Sequence, residues 1–384
     1  MGFPKLSISD EWKNLNKFKK LSDDERSIVF YAENKASMNH FRTLISELTE
    51  NLDLQICYVT SVKDDPIFSS NNNKILSFYI GDGVIRTQFF LTLKAKTLIM
   101  DMPDLQTFHI KRSKVYPVHY IYIFHSMFSV HSYLRKKALD NYDTIFCVGQ
   151  HHIDEILESE KRYNLKPKKL IKYGFGRLDT LLKEKNTFEN SINSKKNLII
   201  IAPSYGKNNL LHKCGIQLIE ILLKSNFQIL LRPHYKTINE SQSLIDSIIK
   251  NFGENPNFSL ERGIIPFESF YNSKCMISDW SGISMEYAFT FEKPVIFLDV
   301  PKKILNPDYD EIELEPIEIS IREKIGYVIL PNNLGTIPKI LNSYENSIDD
   351  FNQEIKNIRS KTVFNIENSG KIGAEYISEL ISKA

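Results

Sequence analysis

Short apolar runs alternate with helix-period segments along almost the whole chain, and this alternation limits the fold more than any other feature. A strand that must pair in parallel with the next needs a crossover, usually a helix, so the pattern predicts parallel sheets covered on both faces. In the first half the runs Ser27–Ala32, Leu54–Val59, Ile75–Ile80, Thr97–Met100, His119–Phe124, Asp143–Val148 and Leu170–Tyr173 read as strands. Between the first two, Lys35–Asn51 reads as a helix, with Met38, Phe41, Leu44 and Leu48 recurring at helical spacing.

The stretch Lys183–Lys196 breaks the pattern: it is polar and charged and reads as an interdomain linker. A second alternating block follows, with strands at Asn197–Ala202, Gln228–Leu231, Cys275–Ile277 and Pro294–Leu298 and helices at Ile216–Lys224, Glu240–Phe252 and Ile283–Phe291. Tyr344–Ile381 reads as a helical tail. The expected division is an N-terminal Rossmann-like domain over 1–182, a linker over 183–196, a second Rossmann-like domain over 197–343 and a helical tail over 344–384. The fold class is α/β and GT-B-like: two doubly wound, Rossmann-like domains facing across a cleft, with ligands at the strand C-termini.

With 384 residues, 42% of them hydrophobic, the chain is long enough for two cores. A formal net charge of +2 offers no basic face for nucleic acid, so a nucleic-acid partner is not expected. Cys57, Cys147, Cys214 and Cys275 form no CxxC pair and three of them sit in apolar runs, which predicts buried thiols rather than a zinc or redox site. The adjacent His151 and His152 cannot share a helix face, so no metal or other cofactor is expected. The first residues lack the apolar core of a signal peptide, and no run of about 18 apolar residues occurs, so a cytoplasmic location is expected. Trp12, Leu15 and Phe18 alternate with Lys13, Lys17, Lys19 and Lys20 as a lead-in helix, whose apolar side packs on the domain or lies on the inner face of a membrane.

Several segments can carry chemistry. In Ile277–Tyr287, Asp279, Ser281 and Ser284 crowd a strand end and a helix start. Asp279 or Ser281 is expected to cap that helix, whose first amides make a phosphate site, and Glu286 is placed to accept from ribose hydroxyls. Arg232 and His234 follow a strand directly and point a planar cation and an imidazole out of the sheet edge. Ser204, Tyr205 and Gly206 follow the first strand of the second block and can approach a nucleotide. His125 ends an apolar strand, as a general base would, and His131 and Arg135 follow at i, i+4 spacing on a helical segment. Tyr173–Asp179 has glycines before Arg177 and Asp179 but does not fit GxGxxG.

Taken in order, these segments resemble the CDP-glycerol glycerophosphotransferase family of teichoic acid and capsule polymer synthesis. The likeness is carried by Arg232-Pro233-His234, by Ser278, Asp279, Ser281, Glu286 and Tyr287, by Lys293–Phe297, and by Gly174, Arg177 and Asp179. His125-Ser126 stands where the family has His-Gly, Tyr235 where it has Pro, and Gly282 where it has Ser. The resemblance implies a GT-B fold, metal-independent transfer of glycerol phosphate or a related polyol phosphate from a CDP-linked donor, and a polymer or lipid-linked acceptor. It also implies peripheral membrane contact. Catalysis is then expected from His125, with His234 as the next candidate. Arg232, Ser204, Asp279, Ser281, Ser284 and Glu286 hold the donor, and His131, Arg135, Arg177 and Asp179 support the acceptor. Two other readings remain: a glycosyltransferase using a nucleotide-activated sugar, and a non-catalytic nucleotide-sugar-binding protein.

Overall fold

The computed structural model describes residues 9–107, 109–188, 197–263, 266–344 and 348–383. The chain divides into two compact units. The first runs to Thr180 and adds Asn306–Ile312 and the residues from Thr362 on; the second comprises Leu181–Leu305 and Glu313–Lys361.

The first unit holds a seven-stranded sheet in the order β3-β2-β1-β4-β5-β6-β7. Its strands are β1 (Ile28–Ala32), β2 (Ile56–Thr60), β3 (Ile75–Tyr79), β4 (Thr97–Met100), β5 (His119–Ile123), β6 (Thr144–Cys147) and β7 (Lys169–Lys172). Every pairing is parallel. β1, β2, β4 and β6 are buried along their whole length, which is why they read as unbroken apolar runs. The second unit holds a six-stranded parallel sheet in the order β10-β9-β8-β11-β12-β13. It is built from β8 (Leu198–Ile201), β9 (Gln228–Leu231), β10 (Phe258–Leu260), β11 (Cys275–Ser278), β12 (Val295–Leu298) and β13 (Gly326–Ile329). In each sheet the strand order reverses once, between β1 and β4 and between β8 and β11. The chain is thus the α/β, doubly wound, two-domain fold expected.

The departures are local. The helix expected over Lys35–Asn51 is an α-helix only at Ser37–Ser46 and continues as a π turn over Glu47–Asn51. Lys183–Phe188, read as the start of a linker, forms the end of a helix, Gly176–Phe188; the rest of that stretch, 189–196, lies outside the described residues. The helical tail is two helices with different destinations. Ile348–Thr362 belongs mostly to the second unit, where Arg359 and Lys185 both bind the carboxylate of the buried Glu292. Ser369–Lys383 belongs to the first unit, where Ala374 and Ile377 join the core of Phe30, Phe41, Leu44 and Tyr173.

That last helix can pack closely because Gly370 and Gly373 face its neighbours. A Cβ at Gly370 would lie 2.6 Å from the main-chain oxygen of Thr43, and one at Gly373 would lie 2.7 Å from the Tyr173 ring. At the other end of the chain, Asp10–Lys20 is the lead-in helix, and Leu15 and Phe18 are buried on the first unit. The Phe18 ring meets Phe78 and Phe89 edge-on at 5.5 and 5.3 Å. Leu15 and Phe18 therefore pack on protein, while Trp12 is half-buried. All four cysteines are free and buried. Among the described residues no helix is long and apolar enough to cross a membrane.

Candidate functional site

In open parallel sheets ligands bind beyond the strand C-termini where the strand order reverses. In the second unit that point lies between β8 and β11, and Asp279 joins the two strand ends. Its buried carboxylate accepts the main-chain amides of Ser204 at 2.7 Å and Leu210 at 2.8 Å. Ser278 adds a hydroxyl bond to the Ala202 oxygen, and the Asn209 amide holds the Ser204 oxygen, both at 2.7–2.8 Å. Asp279 thus shapes the loop after β8 rather than capping the helix after β11. Burial raises its carboxyl above the usual range, opposed by those amide bonds.

The expected cap on the Ile283–Phe291 helix is not made. Gly282 stands at the N-cap in a helical conformation with no side-chain bond. Ser284 is buried, and both its hydroxyl and its amide turn back to the Ser281 oxygen, so its side chain serves the helix start. Ser281 and Glu286 are half-buried at the start of the same helix.

The loop that Asp279 fixes presents Tyr205, around which basic groups gather. Lys303 lies 3.2 Å and Lys236 4.5 Å from the Tyr205 ring centre, and the His234 ring stands 4.8 Å away. Ser204, Tyr205, Lys207, Asn209, Trp280 and Lys303 line a cavity of ≈ 190 Å³ here. Burial, helped by the charge of Lys236, pushes the Lys303 ammonium down to about 8. Burial, followed by Lys303, Arg232 and Lys236, pushes His234 down to about 4. Cations crowded until their charge is unfavourable are a prepared seat for an anion. Arg232 bonds the Gly263 oxygen at 3.4 Å through Nε, beside His234 in sequence.

The two candidate catalytic histidines are held in opposite tautomers. His234 Nδ1 accepts the Lys236 amide at 3.2 Å, so the neutral ring carries its hydrogen on Nε2 and can donate. In the first unit, His125 Nδ1 lies 3.1 Å from the Asp101 main-chain oxygen, to which it can only donate. The neutral His125 ring therefore keeps its lone pair on Nε2, as a proton acceptor needs, and burial lowers its pKa so that it stays neutral. Of the pair, a neutral His125 has a lone pair on Nε2 and a neutral His234 has a hydrogen there.

Sequence reasoning missed the setting of His125. Asp101 follows β4 directly, at the reversal between β1 and β4, and its carboxylate accepts the Ser37 hydroxyl at 3.0 Å. Burial pushes that carboxyl up to about 7. His40, from the helix after β1, stands with its ring centre 6.2 Å from that of His125. Burial, then the charges of His125 and Arg177, push it down to about 3. Lys303 was missed as well.

The remaining expected residues all lie in the first unit, most of them in bonds to neighbouring elements. The helix that was to carry His131 and Arg135 spans only Val130–Tyr133, so the two do not share a helix face. His131 is buried with Nδ1 3.0 Å from the Glu155 carboxylate, which also takes the Val130 amide at 2.5 Å. Arg135 pairs with Asp104 at 2.6 Å. Asp179 is buried and accepts the amides of Glu367 at 2.7 Å and Ser369 at 3.0 Å, together with the Ser369 hydroxyl; it anchors the Ser369–Lys383 helix. Arg177 lies in the first turn of Gly176–Phe188, near His40. Among the described residues no group of three or more His, Cys, Asp or Glu side chains could hold a metal ion.

Two doubly wound units, each with polar groups at its strand reversal, place the chain in the GT-B class. Structures of that class match it nearly end to end. UDP-GlcNAc 2-epimerase from Neisseria meningitidis, bound to UDP-GlcNAc, is 15% identical with a TM-score of 0.61, covering 92% of this chain and 99% of its own. The Methanocaldococcus jannaschii UDP-GlcNAc 2-epimerase in complex with UDP-GlcNAc and UDP is 13% identical, TM-score 0.55, covering 92% and 99%. A glycosyltransferase from Rickettsia africae ESF-5 is 11% identical, TM-score 0.53, covering 94% and 100%. At these identities the likeness is one of fold. The model of the CDP-glycerol:poly(glycerophosphate) glycerophosphotransferase family matches residues 14–303, well over half of the chain, and the chain belongs to that family of transferases. No curated protein is significantly similar to it in sequence.

Proposed function

We propose that this protein transfers glycerol phosphate, or a related polyol phosphate, from a CDP-linked donor to a hydroxyl of a cell-surface polymer or lipid-linked acceptor. The observation that carries the reading is the basic cluster around Tyr205 at the β8/β11 reversal, in a chain of the glycerophosphotransferase family. The donor diphosphate lies against Lys303, Lys236, Arg232 and the Nε2 hydrogen of His234, with the amides at the uncapped start of Ile283–Phe291 adding their dipole. Ser204 and Ser281 approach the phosphates, and Glu286 accepts from ribose.

The acceptor hydroxyl gives its proton to His125 Nε2 as its oxygen attacks the phosphorus that carries glycerol. A new P–O bond forms, the bond from that phosphorus to the bridging oxygen breaks, and CMP leaves with the electron pair. Charge developing on the leaving phosphate is met by fixed cations of the chain, so the reaction is metal-independent in this reading. Base assistance contributes about 10²–10⁴-fold. The working site is the inner face of the cell membrane.

The test is a turnover screen over CDP-glycerol, CDP-ribitol, CMP-sugars and UDP-sugars, with and without EDTA. CMP release from a CDP-polyol, unaffected by EDTA, is expected. A nucleoside diphosphate released from a sugar donor establishes the second reading, glycosyl transfer, which the UDP-GlcNAc-bound neighbours favour. Donor binding without any turnover leaves the non-catalytic reading.

A further inference from the structure

Tyr235 places a large exposed ring where the backbone favours a different residue. It opens the Tyr235–Glu240 helix, and His234 before it is the N-cap, in an extended conformation with its Nδ1 taking the Lys236 amide. At a first helical position the amide has no partner within the helix, and proline, with its φ already set, fits best. Proline also needs an extended residue before it, which His234 is. Proline is what the family motif has here, so the fold gains nothing from tyrosine. Packing does not account for the side chain either: Tyr235 is 60% exposed, and no other aromatic residue among those described is as exposed.

What the ring does touch is part of a series. It lies on the His234 ring, with centres 4.5 Å apart and planes 32° from parallel. His234 in turn stands 4.8 Å from the Tyr205 ring at 40°. The three rings form a ladder within the second unit. Its inner rung, Tyr205, carries the ammonium groups of Lys303 and Lys236 at 3.2 and 4.5 Å from the ring centre. Its outer rung, Tyr235, is open to solvent. One end of the ladder suits phosphate, and the other suits a flat group, which stacks on an aromatic face. A nucleoside phosphate is a ligand with those two ends, joined through a ribose. A polyol phosphate has no flat face and would leave the outer rung unused.

We propose that Tyr235 is a donor-binding residue: its exposed ring stacks on the nucleobase of the activated donor, whose phosphates lie at the Lys303–Lys236 end of the ladder. The assignment rests on the donor seat proposed above, but not on which group the donor gives up.

Calorimetry on the full-length protein compares CMP with ribose 5-phosphate, which lacks only the base. The wild type should bind CMP about tenfold or more tightly, the scale of stacking one base on an aromatic side chain. Tyr235→Pro should melt no earlier than wild type, bind ribose 5-phosphate as before, and hold CMP no more tightly than ribose 5-phosphate. Tyr235→Ala, which keeps the amide, should lose the preference in the same way, and Tyr235→Trp should retain it. The H5 and H6 protons of bound CMP, lying over a ring, should shift upfield with wild type and Tyr235→Trp but not with Tyr235→Ala. A preference or an upfield shift that survives in Tyr235→Ala overturns the assignment. A wild type that binds both ligands equally also overturns it, while leaving the phosphate seat standing. If neither ligand binds, the seat itself has failed, and the assignment falls with it.

Discussion

The main-chain oxygen of Asp101 takes the Nδ1 hydrogen of His125 across 3.1 Å, which puts the lone pair of a neutral imidazole on Nε2. A single backbone contact thereby sets the direction in which His125 can move a proton. His125→Ala should lower kcat by about 10²-fold or more while leaving donor affinity nearly unchanged, because the lost interaction forms only in the transition state. Since burial holds the pKa of His125 below its ordinary value, the acid limb of the wild-type kcat/KM profile should fall below pH ~6.5 and flatten in the variant. A variant that melts earlier but turns over normally once folded would remove His125 from the chemistry.

The carboxyl of Asp101 makes a second prediction, about stability. Its pKa is raised to about 7 in the folded protein by burial, against ~3.9 when unfolded. Between those values the folded state holds a proton that the unfolded state has released, so this group's contribution falls as pH rises through the window and is level above it. His40 and His125, whose pKa values are lowered, pull the other way over a similar range. Urea denaturation of wild type and Asp101→Asn at pH 5 and pH 8 separates the effects, since the histidines are common to both. The stability difference, wild type minus variant, should be smaller at pH 8 than at pH 5. An unchanged difference means that Asp101 does not titrate in the window.

Donor binding should take up protons near pH 8. Lys303 is held at about 8 and is partly neutral there; a diphosphate beside it restores the charge. Calorimetric titration with the donor at pH 8, in two buffers of different ionisation enthalpy, should show uptake of about half a proton. Lys303→Met should abolish the uptake and weaken binding by about 1.5–3 kcal/mol, the scale of a charged hydrogen bond. Uptake that survives in the variant would place the diphosphate elsewhere.

Asp279→Asn keeps size and shape but turns an NH₂ group towards one of two buried amides, from Ser204 or Leu210. Leaving such a donor unsatisfied costs about 1–3 kcal/mol. The variant should melt at lower temperature, and its donor affinity should fall because the Tyr205 loop loses its anchor. Normal stability with lost affinity would instead mean that Asp279 touches the donor itself.

At Gly370 two effects of known size oppose each other. Alanine is favoured over glycine inside a helix by about 1 kcal/mol. Here, however, the new methyl would stand 2.6 Å from the Thr43 main-chain oxygen, a backbone group with no rotamer to change. Overpacking of this kind costs about 1–3 kcal/mol or more, so Gly370→Ala should destabilise the protein in denaturant titration. A gain in stability would show that the two helices can separate without loss.

The sequence made the core strands legible because strands buried on both faces are continuous apolar runs, as in β1, β4 and β8. β10 and β13 escaped notice for the converse reason: one is three residues long, the other begins at a glycine, and both are edge strands. Arg232, His234 and Asp279 could be singled out because they follow strands directly. Asp101 does so too, but its importance depends on β4 lying beside β1, and strand order is a long-range property that no local pattern records. Lys303 lies five residues beyond β12 and reads as a surface lysine until Tyr205, nearly a hundred residues earlier, is placed beneath it. His40 sits between apolar positions of an amphipathic helix, where only the absence of a partner marks it out. His131 and Asp179 stood out in the sequence because a buried histidine–carboxylate pair and a helix anchor use the same residue types as an active site.

The helix Ser369–Lys383 completes the core of the first unit, yet every residue of the second unit precedes it in the chain. On the ribosome, therefore, the first unit cannot close when its own seven strands have been made. Its sheet must wait, with the groove for Ala374 and Ile377 uncovered, through the synthesis of nearly two hundred further residues. Translation at about 5–20 residues per second makes that an interval of ten seconds or more, during which a partly built apolar surface is exposed to the cell. A chain cut short after the second unit would keep that surface indefinitely, which makes the Ser369–Lys383 helix the step that separates a closed first unit from a client of chaperones and proteases.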